Sequence, residues 1–142
     1  MTDAVAEPTS LFEQALASYQ QGAPLEEVIA SFLQITRQEP RLSAGWTCLA
    51  WLQLLDQQPQ AALRSARNAV KLNPQDPQAR INLSLAMLET NAKGVREHID
   101  LVRRLRALAP DLAGELDDAI ADGLVRRPDW QALQKVKAWL QD

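Results

Sequence analysis

Residues 43–76 read SAGWTCLAWLQLLDQQPQAALRSARNAVKLNPQD. Trp46, Leu49 and Ala50 recur at helical spacing and open one helix, from about Ala44 to Leu55. Asp56-Gln57-Gln58-Pro59 breaks it. Ala62, Ala69 and Leu72 lie on a second helix, from about Gln60 to Leu72, that stops at Asn73-Pro74. Proline disfavours helix in the residue ahead of it, so Pro74 is a firm stop. Pro40 stands 34 residues earlier and closes a similar pair of patterns; a third pair closes at Pro110. Helix pairs recurring at a period of this length mark a repeat array, in which no pair can bury its apolar face alone.

Working outward, the segment before Pro40 begins near Thr9. Thr9 or Ser10 can cap a helix, and Glu13 lies three residues after Ser10, as in a capping box. Leu11, Phe12, Ala15, Leu16 and Tyr19 line one face, Gln21-Gly22-Ala23-Pro24 breaks the helix, and Leu25, Val28, Ile29, Phe32, Leu33 and Ile35 line the next. The segment after Asp76 opens at Pro77, a good first-turn residue. Its first helix carries Ala79, Leu83, Ala86 and Met87, and its second carries Ile99, Leu101, Val102, Leu105 and Leu108. Two extra residues are needed before Pro110, and Asn91 to Gly94 is where they fit. Beyond Pro110 the period lapses. A short helix spans Leu112 to Leu124, Arg126-Arg127-Pro128 links, Asp129 can cap, and Trp130 to Leu140 is amphipathic. Trp130 and Trp139 lie nearly opposite each other on that helix, so only one of them can face a partner deeply.

The chain has 142 residues and is 46% hydrophobic, enough for one folded domain. Its net charge of -3 argues against a nucleic-acid binder. Cys48 stands alone, which excludes an intrachain disulfide and a CxxC metal site; it reads as a small buried hydrophobe. Residues 1–8 read as a flexible tail with neither the basic nor the apolar region of a secretory signal, and no run is long enough to span a membrane. A cytoplasmic protein is expected.

No chemistry stands out. The glycines are scattered, there is no HExxH, and His98 has no second His or Cys. Glu115, Asp117, Asp118 and Asp122 form an acidic group without the alternating-ligand loop of a calcium site. No enzyme, metal or cofactor is expected. Lys93, Arg96, Arg103, Arg104, Arg106 and later Arg126-Arg127 form basic patches; a nucleic-acid or anionic-membrane surface is one reading, but the acidic neighbours Glu97, Asp100 and Asp111 and the net negative charge favour solvated faces, or charges that steer an acidic partner.

The spacing resembles the tetratricopeptide repeat family. Residues 43–76 match its pattern without a gap at Trp46, Leu49, Ala50, Ala62, Ala69 and Pro74, and depart at Gln53 and Ala66, where a bulky residue is usual. The preceding segment matches at Phe12, Ala15, Tyr19, Phe32 and Pro40, and the following one at Leu83, Ser84 and Met87. The resemblance implies an all-α, right-handed α-solenoid of three helix-turn-helix repeats (about 9–42, 43–76 and 77–112) with two C-terminal capping helices (113–142), one domain over 9–142. The alternative is a helical bundle with accidental spacing.

The resemblance also implies a concave groove lined by the first helix of each repeat. Its residues here would be Thr47, Trp51, Leu54, Leu55, Ile81, Asn82, Leu85 and Leu88. Trp46 would be core, and Trp51 the residue to touch a partner. The positions that clamp an Hsp70 or Hsp90 tail in this family hold Glu13, Ala17, Cys48, Gln78 and Asn82 here, the wrong set for an acidic tail. The expected function is a non-catalytic scaffold or assembly factor, in the style of small bacterial members, that holds a partner's amphipathic helix or extended peptide. The alternative is a self-associating structural protein, such as a homodimer, whose groove is filled by its own C-terminal helix.

Overall fold

The computed structural model describes residues 10–141 and is all-helical, with eight helices among them. They are α1 (Leu11–Gln20), α2 (Leu25–Gln38), α3 (Ser43–Leu55), α4 (Pro59–Leu72), α5 (Pro77–Glu89), α6 (Val95–Leu108), α7 (Pro110–Arg126) and α8 (Gln131–Gln141). None of these helices is long and apolar enough to cross a membrane. The reading of residues 1–8 as a tail lies outside the described residues. The helix read from Leu112 to Leu124 is longer, because Pro110 serves as its first-turn residue. Trp130 precedes α8 rather than opening it.

Local hydrogen bonds repeat along the chain. Ser10 and Glu13 form the capping box that starts α1. Helices α1, α3 and α5 all end in the same way, with a left-handed residue at Gly22, Gln57 and Asn91. In each case the next residue's N–H reaches back five positions: Ala23 to Ser18 O, Gln58 to Gln53 O and Ala92 to Met87 O, at 3.0, 2.8 and 2.8 Å. These are Schellman closures, which satisfy carbonyls the helix leaves without partners. The link after α5 runs over residues 90–94 and that after α3 over 56–58, which accommodates the two extra residues. Helices α2, α4, α6 and α7 all stop before a proline, at Glu39, Asn73, Ala109 and Arg127, with φ between -131 and -141°. Six residues beyond Pro40 and Pro74, the Trp46 indole and the Arg80 guanidinium donate to those prolines' carbonyls at 2.9 and 3.0 Å.

Each helix from α1 to α6 packs on the next, and α3 also packs on α5. Phe12 meets Phe32 edge-on in the first core cluster, with Val28, Ile35, Leu49 and Leu52. The second cluster joins α3 to α8 through Trp51, Leu54, Ile81, Leu85, Val102, Trp130, Leu133 and Val136. Gln53 departs from the expected bulky residue for a visible reason. Its side-chain carbonyl accepts the Ser65 hydroxyl at 2.7 Å, a buried bond between α3 and α4. Ala66 beside it is fully buried, so the space a bulky residue would fill is closed. Trp46 is only half-buried; its indole N–H points out to the Pro40 carbonyl, which keeps one edge of the ring at the surface.

Candidate functional site

The residues expected to line an open groove are placed together on α3 and α5, but most of them are covered. Every residue from Leu49 to Leu55 and from Ile81 to Met87 is buried. Leu54, Ile81, Asn82 and Leu85 have no exposed surface, and Thr47, Trp51 and Leu55 are below one-tenth exposed. Only Leu88 is partly open. The cover is the chain's own C-terminal pair. Helix α8 packs on α5, α6 and α7. Trp130, fully buried, lies against Trp51 with ring centroids 5.3 Å apart. This arrangement buries the aromatic and aliphatic patch that a free monomer rarely leaves bare.

Two consecutive cations hold the pair in place. Arg126 bonds both Asp122 oxygens at 3.0 and 3.1 Å, stacks on the Tyr19 ring at 3.9 Å and donates to the Tyr19 backbone carbonyl at 3.1 Å. Arg127 donates to the Leu54 carbonyl at 2.9 Å and lies over the Trp130 ring. Tyr19 and Leu54 lie in the last turns of α1 and α3, so each guanidinium meets the negative end of a helix dipole. Glu89 completes the clasp. It accepts from the Trp130 indole at 2.7 Å and stands 3.6 Å from Arg127. Arg126 is exposed, as expected of a solvated face, while Arg127 is half-buried. Tandem arginines beside a proline stop carry no signal that they cap helices more than 70 residues away.

Toward α1 the cover is incomplete. A pocket of about 240 Å³ opens between α1, α3, α5 and α7, with Phe32 of α2 at its back. Leu16, Cys48, Trp51, Leu52 and Ala119 form its apolar walls, and Thr47, Gln78, Asn82 and Asp122 lie around them. The polar groups are already bonded to one another. Asn82 donates to the Thr47 carbonyl at 2.9 Å and accepts from Gln78 at 2.8 Å. The Tyr19 hydroxyl donates to Asp122 and accepts from the Trp51 indole at 2.9 Å. Burial, and then the bond to Asp122, push the Tyr19 phenol far above its usual range. The Cys48 thiol is pushed up to about 12, by burial first and then by Asp76. A thiol so raised is a poor nucleophile.

Thr47 and Trp51 therefore border the cavity, with the fully buried Asn82 behind them; Leu54, Leu55, Ile81 and Leu85 lie beneath the C-terminal pair. Leu16, Tyr19, Ala119 and Asp122 are pocket residues that the expected groove did not include. Tyr19 stood in a recognised apolar pattern, but α7 lies outside the period. The acidic group on α7 is divided: Asp122 serves Arg126 and Tyr19, and Asp117 bonds Arg106 at 2.6 Å. Among the described residues no three His, Cys, Asp or Glu side chains are grouped to hold a metal ion.

Compared with known protein families and with curated proteins, the chain matches none.

Proposed function

We propose that this chain is a non-catalytic protein-interaction module built as a tetratricopeptide-like solenoid of three helix pairs. The recurring Schellman closures at Gly22, Gln57 and Asn91 and the proline stops support that architecture. Its groove is divided. The part over Leu54, Ile81 and Leu85 is filled by α7 and α8, which favours in-chain filling there over an external helix. The part beside α1 takes one large apolar side chain from a partner's segment.

The open apolar pocket beside Trp51 carries this reading. Its 240 Å³ falls below the roughly 300 Å³ at which small-molecule sites begin. Its carboxylate, Asp122, is already bonded to Tyr19 and Arg126, so a charged ligand finds no partner on it. A buried anchor side chain at such a spot is the usual centre of a protein interface.

The test places a photo-crosslinking residue at Leu16 and compares it with one at the exposed Leu108. A defined adduct at Leu16 that disappears when Cys48→Phe fills the pocket, with the helical circular dichroism unchanged, supports the reading. Equal adducts at both positions, or capture insensitive to Cys48→Phe, overturn it. An adduct of twice the chain's own mass would identify a second copy as the occupant.

A further inference from the structure

The clefts between α6 and α8 are lined by four arginines, Arg96, Arg103, Arg104 and Arg106, and one carboxylate, Asp100, in a chain of net charge -3. Arg96, Arg103 and Arg104 are exposed on α6, and Arg96 and Arg104 have no ion-pair partner among the described residues. Two clefts run end to end there. One of about 350 Å³ lies between Arg96 and Trp139. The other, of about 650 Å³, continues past Arg104 to Leu140. Asp100 and Arg103 border both. Trp139 is the outlier among the tryptophans. It is 38% exposed, and its indole N–H has no hydrogen-bond partner among the described residues. Trp46, Trp51 and Trp130 all donate to an acceptor.

We propose that this face docks a short acidic segment of a partner protein, laid extended along α6 with an apolar side chain against Trp139. Guanidinium forks match carboxylates in geometry as well as charge. Tryptophan and arginine are the residues that most often carry interface energy. From Val95 to Ala107 the helix rises about 18 Å, which holds about five or six extended residues. A long polyanion fits less well. Asp111, Glu115, Asp117 and Asp118 are exposed on the adjoining α7, and they would face the regularly spaced phosphates of a nucleic acid. This surface is separate from the pocket beside α1, so either site stands without the other.

The test is a selection of random hexapeptides on the full chain at low salt, followed by anisotropy with a fluorescein-labelled hexapeptide from the enriched pool. The expected pool is net-negative with a large apolar residue. Binding should saturate, and should weaken at least about tenfold in the double variant Arg96→Glu/Arg104→Glu and in Trp139→Ala, all three positions being exposed. It should also weaken as salt rises. Cys48→Phe should leave it unchanged. An absent, neutral or basic pool overturns the proposal, as does preferred binding of labelled single-stranded DNA or of phosphatidylserine vesicles.

Discussion

Gly123 of α7 lies against the indole edge of Trp51. A β-carbon at Gly123 would stand 2.8 Å from Cη2 and Cζ2 of that ring, and 2.8 Å from Cδ2 of Leu133. Trp51 cannot easily yield, because Tyr19 holds its N–H and Trp130 lies against it. Gly123→Ala should therefore destabilise the chain by about 1–2 kcal/mol, overpacking outweighing the helical preference for alanine. Gly114, on the same helix, has open space around it, and Gly114→Ala should stabilise by up to about 1 kcal/mol. Urea midpoints of the two variants give the comparison. A stabilised Gly123→Ala would mean that α7 does not press on α3.

Gln57 occupies the left-handed position that Gly22 holds after α1. A side chain there costs about 1–2 kcal/mol. Gln57→Gly should recover about 1 kcal/mol, read as a higher melting temperature. An unchanged or lower value would count against the Schellman closure after α3.

Trp130 joins the C-terminal pair to the rest of the core. Trp130→Ala should cost about 3–5 kcal/mol, since the ring is fully buried. Truncation before Asp129 should go further and leave Trp51, Ile81 and Leu85 uncovered, detected as dye binding and oligomers by light scattering. A monodisperse, cooperatively melting truncation would instead show that α8 is a detachable occupant.

Cys48 should resist alkylation. With its pKa pushed up to about 12, little thiolate is present at pH 8. Iodoacetamide should react at least about a hundredfold more slowly than with the denatured chain. Equal rates folded and unfolded would place Cys48 in water.

His98 accepts a hydrogen bond at Nδ1 from Arg80 at 2.8 Å. Burial first, and Arg80 second, hold its pKa below the usual value, while Glu97 pulls the other way. The unfolded chain therefore takes up the proton first as the pH falls. The stability this histidine contributes is complete above about pH 6.5 and is lost below that. His98→Gln should flatten the slope of stability against pH below about 6.5. An unchanged slope would remove His98 as its cause.

The helices were legible in the sequence because their signals are local. Proline stops, the Ser10–Glu13 box and apolar spacing act within a few residues of where they stand. One clue to the burial of α3 and α5 was also present. Residues 49–55 and 81–87 are largely apolar on every side, and a helix apolar all round is a buried one. That composition told against an open face on α3 and α5 but could not say what covers them.

The order and bounds of the helix pairs were thus determined by residues near one another in the chain. Tertiary structure alone decided which surface stays open. Tyr19 meets Asp122 across 103 positions, and Arg127 meets Leu54 across 73. Such contacts depend on where α7 and α8 come to rest against α1, α3 and α5. No spacing within α7 or α8 encodes that, because it is set by how the helices pack on one another and by the fit of one glycine against one indole.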